Sequence, residues 1–138
     1  MIGIDTNILL RWLIDESIWP DDNPGQTEAV GQLLNNDSLR FFVNAMVLHE
    51  TLWILTKPFK QPKRVIVEII DRLLASSNVE VQHREAVRSA QASYAAHRSG
   101  VHDRLIAEIN ASSGCRATLT FDKEAARTPG FELLKPKR

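Results

Sequence analysis

The chain has 138 residues, a length typical of one domain, and 43% of them are hydrophobic, enough to bury a core. Its 17 basic and 17 acidic residues give zero formal net charge, whereas nucleic-acid-binding proteins usually carry a basic excess. No apolar run approaches a membrane span, no secretory signal pattern opens the chain, and the single Cys115 excludes an internal disulfide or a thiolate metal cage. We therefore expect one cytoplasmic domain over residues 1–138, with no membrane partner.

Apolar periodicity and turn-forming residues predict strands and helices that alternate along the chain. In chain order these are a strand at 1–4, a helix at 8–13, a loop at 21–25, a helix at 27–34, a strand at 40–43, helices at 45–57 and 62–74, a strand at 79–81, helices at 85–98 and 102–112, a strand at 117–121, a helical turn at 123–127 and a strand at 131–134. This alternation predicts an α/β fold with a mostly parallel central sheet flanked by helices.

Two of the predicted strands end in an aspartate, Asp5 after the first and Asp122 after the fourth. In open α/β sheets, ligands bind beyond the carboxyl ends of the strands. If these two strands are parallel neighbours, both carboxylates lie at the same edge of the sheet. Alternatively, each aspartate only caps the helix that follows it, since Asp is a favoured N-cap residue.

Two further acids extend the pattern. Glu50 interrupts an otherwise apolar helix, and its hydrophobic flanks predict a position at the boundary of the core. Asp103 opens the helix that follows Gly100. The alternatives are an exposed helix position or a salt bridge for Glu50, and a helix cap for Asp103.

A convergence of these four acids would require a counter-charge. Two carboxylates about 4 Å apart repel each other by roughly 4 kcal/mol at an effective dielectric constant near 20. A divalent cation can offset that repulsion, and oxygen ligands without cysteine or paired histidine favour Mg²⁺ or Mn²⁺ over zinc. Such an ion activates water and neutralises charge on phosphate oxygens, so the hypothesis is metal-assisted hydrolysis of a phosphodiester.

The four motifs together resemble the PIN-domain family, and within it the VapC-type toxin ribonucleases of type II toxin–antitoxin systems. The residues that carry the resemblance are Ile4-Asp5-Thr6-Asn7, the segment from Val47 through Glu50 to Trp53, the segment from His102 to Ala107, and Thr120-Phe121-Asp122. The resemblance implies a PIN-like α/β/α sandwich and an endoribonuclease that leaves 5′-phosphate and 3′-hydroxyl ends. It also implies a homodimer, silenced by a small VapB-like antitoxin.

The same resemblance assigns roles to residues. Asp5, Glu50, Asp103 and Asp122 would hold one or two Mg²⁺ ions, with Mn²⁺ as a substitute, and Glu50 would either bind metal or position the attacking water. Asn7 and Thr120 would support Asp5 and Asp122. Some relatives carry a further acid three positions before the third, where this chain has Gly100, so the number of ions stays open.

A basic segment at 57–64 has four positive charges and no acid. Within it, Lys60, Lys63 and Arg64 could steer the RNA backbone towards the acids, or they could form an ordinary solvated loop. The tail at 135–138 has a similar composition and the same two interpretations.

Two other functions compete with the nuclease hypothesis. A metal-dependent phosphomonoester hydrolase is disfavoured because Asn7, and not a second acid, stands two residues after Asp5. A non-catalytic PIN-like module that binds RNA or protein would be expected to lack one of the four acids, and all four are present.

Overall fold

All strand pairs among the described residues are parallel, as the alternation of strands and helices predicts. The structure is a computed structural model that describes residues 1–15, 17–20, 23 and 25–137. Most of the predicted loop at 21–25, and residue 138 of the basic tail, lie outside the described residues. The chain divides into two compact units, Met1–Gln82 and His83–Arg138.

The first unit is a three-stranded parallel sheet with four helices. Its elements are β1 (Ile2–Gly3), α1 (Thr6–Leu13), α2 (Gln26–Leu34), β2 (Phe41–Val43), α3 (Ala45–Thr56), α4 (Lys63–Ala75) and β3 (Val79–Val81). The strand order is β1-β2-β3, with Ile2 opposite Phe41 and Phe41 opposite Val79. The core consists of fully buried aliphatic and aromatic side chains, among them Leu9, Leu10, Phe41, Val43, Leu52, Leu55, Ile66, Ile70 and Leu73.

Polar residues at the carboxyl ends of two neighbouring strands begin the helices that follow. Asp5 follows β1, and its Oδ1 accepts a hydrogen bond from the Ile8 amide at 3.3 Å, which caps α1. Asn44 follows β2, and its Oδ1 accepts from the Val47 amide at 2.9 Å, which caps α3. Parallel pairing of β1 with β2 therefore places both caps at the same edge of this sheet.

The second unit packs two helices and a two-stranded parallel sheet. Its elements are α5 (Arg84–Ala96), α6 (Val101–Ser112), β4 (Thr118–Thr120), a 3₁₀ helix (Ala125–Arg127) and β5 (Phe131–Leu133). α5 and α6 pack against each other, and their buried side chains include Val87, Ala90, Leu105 and Ala107. Gly130 has φ +88° in the turn that leads into β5, a conformation that favours glycine.

The α/β class predicted from the sequence is confirmed, with six α-helices and parallel sheets among the described residues. The first helix begins at Thr6, earlier than predicted, because Asp5 provides the cap. The predicted helical turn at 123–127 is a 3₁₀ helix at Ala125–Arg127. In the described part of the chain, no helix is long and apolar enough to span a membrane.

Candidate functional site

Two of the predicted acids, Asp103 and Asp122, line one cavity of about 390 Å³ in the second unit. Asp103 comes from α6 and Asp122 from the turn after β4, so the fold joins carboxylates that are distant in the sequence. The cavity has further polar, charged and small lining residues: His97, Arg98, Ser99, Gly100, Glu124, Ala125, Arg127 and Thr128.

The Asp122 carboxylate is held in place by the turn that follows β4. Its Oδ1 accepts hydrogen bonds from the amides of Glu124 at 2.9 Å and Ala125 at 3.4 Å. The Asp122 amide in turn donates to Thr120 Oγ1 at 3.0 Å. None of the described hydrogen bonds engages Oδ2 of Asp122, so one carboxylate oxygen is available to a ligand. The Thr120 contact is one that a supporting group would make.

Asp103 lies in the first turn of α6 and is half-buried. The alternative that Asp103 caps this helix is wrong, because Gly100 occupies the N-cap position and Asp103 is the third helical residue. The amides of the first turn carry partial positive charge, which stabilises a carboxylate at this position. Asp103 therefore contributes a carboxylate from the first turn of α6 to the cavity.

Arg104 is a residue whose contribution the sequence did not reveal. It is fully buried, and it donates from Nη1 to the Pro129 carbonyl at 2.7 Å and from Nη2 to Thr128 Oγ1 at 2.5 Å. Its guanidinium also lies 5.4 Å from the centroid of the Phe131 ring. Burial lowers the pKa of Arg104, an effect that the charges of Asp103 and Glu108 oppose. Arg104 thus ties α6 to the segment that carries Thr128, one wall of the cavity.

The other two acids lie in the first unit. Asp5 is exposed and caps α1. Glu50 is exposed on α3, so the expectation that it lies at the boundary of the core is wrong. Met46 and Trp53 flank it at helical spacing and are 82% and 47% exposed, so its apolar neighbours do not mark a buried face. Asn7 is exposed in the first turn of α1, and none of the described hydrogen bonds joins it to Asp5.

Within either unit, no three described His, Cys, Asp or Glu side chains lie close enough together to hold one metal ion. Inside the second unit the structure brings Asp103 and Asp122 to one cavity, while Asp5 and Glu50 belong to the first unit. A meeting of all four acids stays a prediction.

The predicted basic segment at 57–64 begins just after α3, crosses the loop that follows and ends with the first two residues of α4. Lys60 is exposed with φ +48°, and Lys63 is the first residue of the helix. Arg64 lies 3.6 Å from Glu68, one turn along the helix, and both side chains are largely exposed. An exposed pair of this kind is weak, so Arg64 keeps much of its freedom to bind another anion.

Comparison with known proteins identifies the family. A family model described as the PIN domain matches residues 2–130, which is most of the chain. The chain belongs to the PIN-domain family. The match includes all four predicted acids and spans both units. No curated protein matches the chain. PIN domains are in general metal-dependent nucleases, and this supports the assignment of the chain to the hydrolases.

The donor set of this PIN domain's cavity fits a hard divalent cation. Asp103 and Asp122 supply carboxylate oxygens to it. Ser99 Oγ is buried and has no hydrogen-bond partner among the described residues, which marks a place for a ligand atom or water. Oxygen donors of this kind suit Mg²⁺ or Mn²⁺, whereas zinc prefers nitrogen and sulfur. Gly100 lines the same cavity and offers no donor side chain.

Proposed function

We propose that this PIN domain is a Mg²⁺-dependent endoribonuclease that acts as the toxin of a type II toxin–antitoxin pair. The observation that carries the proposal is the pair of carboxylates, Asp103 and Asp122, at one cavity of the second unit. The family supplies the nuclease class. The resemblance of the four acidic motifs to VapC-type toxins supports the choice of RNA as substrate and of Mg²⁺ as cofactor, with Mn²⁺ as a substitute.

In this proposal Asp103 and Asp122 hold the ion, and Asp5 and Glu50 complete the ligand set, with Glu50 either a ligand or the group that positions the attacking water. The bound ion would neutralise charge on the phosphodiester and lower the pKa of water. Hydrogen bonds within the chain hold Asp122 in position. The backbone amides of Glu124 and Ala125 donate to its carboxylate, and its own amide donates to Thr120 Oγ1. Water adds to phosphorus and the bond to the 3′ oxygen breaks, which leaves a 5′-phosphate and a 3′-hydroxyl.

The proposal extends to partners and place of action. We propose a homodimer, silenced by a small VapB-like antitoxin and active in the cytoplasm. The exposed side chains of Met46 and Trp53 on α3 support association with another chain, because large apolar groups are costly to leave in water. Growth arrest on expression, relieved by the product of a short neighbouring gene, would support the toxin role.

Cleavage of RNA by the purified protein tests the enzymatic function. With Mg²⁺, we expect cleavage of structured RNA, and we expect Asp122→Asn to reduce it by about 100-fold or more, equal to about 2.7 kcal/mol of barrier. Asparagine keeps an acceptor oxygen for the Glu124 amide, so the turn survives while the charge is lost. Glu132→Gln is the matched control, since Glu132 is an exposed acid of β5 that does not line the cavity.

Metal removal and alternative substrates complete the test. EDTA should abolish cleavage, and Mg²⁺ or Mn²⁺ should restore it. Full activity of the Asp122→Asn protein would rule out this site. Hydrolysis of a chromogenic phosphomonoester in place of RNA would favour a phosphomonoester hydrolase. RNA binding without cleavage, with the protein folded and metal present, would favour a non-catalytic module.

A further inference from the structure

The zero net charge of the chain is the sum of two opposite halves. Residues 83–138 contain ten of the 17 basic residues but only six of the 17 acids, a formal charge of +4, and residues 1–82 carry −4. The second unit also contains the cavity with the acid pair. Positive charge in the unit that contains the acid pair favours binding of a polyanionic substrate, because carboxylates alone repel phosphate.

Two arginines of the second unit lie at the cavity itself. Arg98 comes from the segment between α5 and α6, and Arg127 ends the 3₁₀ helix, so they line the cavity from separate segments. Both are exposed, and within the described residues neither guanidinium has an ion pair or a hydrogen bond. Arg104, by contrast, is buried and engaged by Pro129 and Thr128. Arg98 and Arg127 therefore have donors that the fold does not use.

Ser99 adds an independent observation at the same place. Its Oγ is buried without a hydrogen-bond partner in the part of the chain that the structure describes, and Ser99 lines the cavity between Arg98 and Gly100. A buried hydroxyl without a partner costs about 1–3 kcal/mol, so it usually marks a bound water or ligand. A phosphate oxygen could accept the hydrogen bond that this hydroxyl has to give.

We propose that Arg98, Ser99 and Arg127 bind a phosphate of the RNA backbone next to the scissile bond. The inference rests on the proposed function, because the acid pair would provide the cleavage site beside it. Guanidinium groups match phosphate geometry with paired hydrogen bonds, so two arginines and one hydroxyl form a suitable donor set. Contacts to phosphate position a strand without reading its bases, so this subsite contributes affinity and not sequence preference.

This assignment differs from the expectation that Lys60, Lys63 and Arg64 steer the RNA. Those residues belong to the acidic first unit, and Arg64 has an acidic neighbour in Glu68. The arginines of the cavity have no such partner among the described residues and lie beside the acid pair. The two surfaces can therefore be compared directly by neutralising each one.

Binding of a short, labelled single-stranded RNA in EDTA tests the subsite without cleavage. In the Arg98→Gln/Arg127→Gln protein, each lost phosphate contact should lower the slope of log binding constant against log salt by about 0.7, or about 1.4 together. The loss of affinity should be similar for unrelated RNA sequences. When cleavage is measured with Mg²⁺, the Arg98→Gln/Arg127→Gln protein should have a higher KM for RNA than the parent. Ser99→Ala should weaken binding without changing the slope, because it removes no charge.

Arg88→Gln/Arg116→Gln is the matched control, since both arginines are exposed, belong to the same unit and do not line the cavity. It should keep the parental slope. A parental slope in the Arg98→Gln/Arg127→Gln protein would overturn the inference. An equal decrease of the slope in the control protein would also overturn it. So would a decrease that occurs only in the Lys60→Gln/Lys63→Gln/Arg64→Gln protein.

The two proposals can fail separately. If the parent protein binds RNA through Arg98 and Arg127 but does not cleave it with Mg²⁺, the phosphate subsite is supported and the proposed function is overturned. If the Arg98→Gln/Arg127→Gln protein cleaves RNA like the parent and its binding has the parental salt dependence, the proposed function is supported and the subsite is overturned. A folded parent protein that does not bind RNA in EDTA would also overturn the subsite.

Discussion

Arg104 follows Asp103 directly, yet the two side chains serve different purposes. Adjacent residues of an α-helix point about 100° apart, so Asp103 can line the cavity while Arg104 is buried. Thr128, which accepts from Arg104, donates in turn to the Ala125 carbonyl at 2.6 Å. Ala125 is also held by Asp122 through its amide. One buried cation is therefore connected by hydrogen bonds to the turn that orients the second acid.

Replacement of Arg104 tests this network. Arg104→Met keeps the apolar stem but leaves the Pro129 carbonyl and Thr128 without their donor, so we expect the free energy of unfolding to fall by about 2–4 kcal/mol. Arg104→Lys should lose less, because one donor can remain. Urea denaturation measures both, with Arg88→Met as an exposed control expected within about 0.5 kcal/mol of the parent. An Arg104→Met protein as stable as the parent would contradict the network.

For single residues, the sequence indicated which acids to examine, but it did not indicate the burial and hydrogen bonding of the residues around them. Asp122 could be found because it ends an apolar strand, a local pattern. The exposure of Glu50, the burial of Arg104 and the buried Ser99 hydroxyl, which has no partner among the described residues, depend on which segments pack together. Tertiary packing decides these features, and an arginine in a helix is ordinarily expected at the surface.

Among the elements, the turn between the 3₁₀ helix and β5 has the tightest steric requirement. Gly130 has φ +88°, and a Cβ built there would lie 3.1 Å from the Ala107 Cβ of α6. The turn therefore combines a conformation that disfavours L side chains with close approach to a helix. It also delivers Phe131 to its place opposite Thr118 in the parallel pair.

Gly130→Ala should therefore destabilise the protein by about 2 kcal/mol or more, from backbone strain and crowding against α6. Gly31→Ala is a control of opposite sign. Gly31 lies inside α2, and no described residue has an atom within 4 Å of its added Cβ, so alanine should raise the free energy of unfolding by about 0.5–1 kcal/mol. Thermal and urea unfolding measure both changes. Equal effects at the two glycines would contradict the steric interpretation.

The elements themselves were largely predictable, because apolar periodicity and capping residues act over a few neighbours. β3 has the predicted bounds at 79–81, and α4 differs from its prediction by one residue at each end. The division of the strands into a three-stranded and a two-stranded sheet was not predictable. Strand pairing joins residues far apart in the chain, and local patterns do not specify it.

For the whole molecule, alkaline pH should reduce stability through Tyr94. Burial raises the pKa of Tyr94, so the folded state holds the phenolic proton more tightly than the unfolded state does. Unfolded tyrosine ionises near pH 10, so this contribution is complete below about pH 10 and declines as the pH rises from there through the folded pKa. The free energy of unfolding should therefore fall with pH in that range, beyond what other groups cause.

Tyr94→Phe isolates the effect, because it removes the titrating group and keeps the ring. The difference in free energy of unfolding between parent and variant should change with pH only above about 10. Tyr94 is the single tyrosine of the chain, so phenolate absorbance reports its ionisation directly. An absorbance midpoint in the folded protein at or below the value for free tyrosine would contradict the prediction.

The division of the chain after Gln82 has a consequence for the order of events during synthesis. Every strand of the first sheet, and the core beneath it, is encoded before residue 83, so that unit can form while the remainder is still being translated. Asp103 and Asp122 follow that unit in the chain, and their cavity is complete only once the segment around Thr128 has been synthesised. Under the proposed function, the nuclease site is therefore incomplete until residue 128 has been translated.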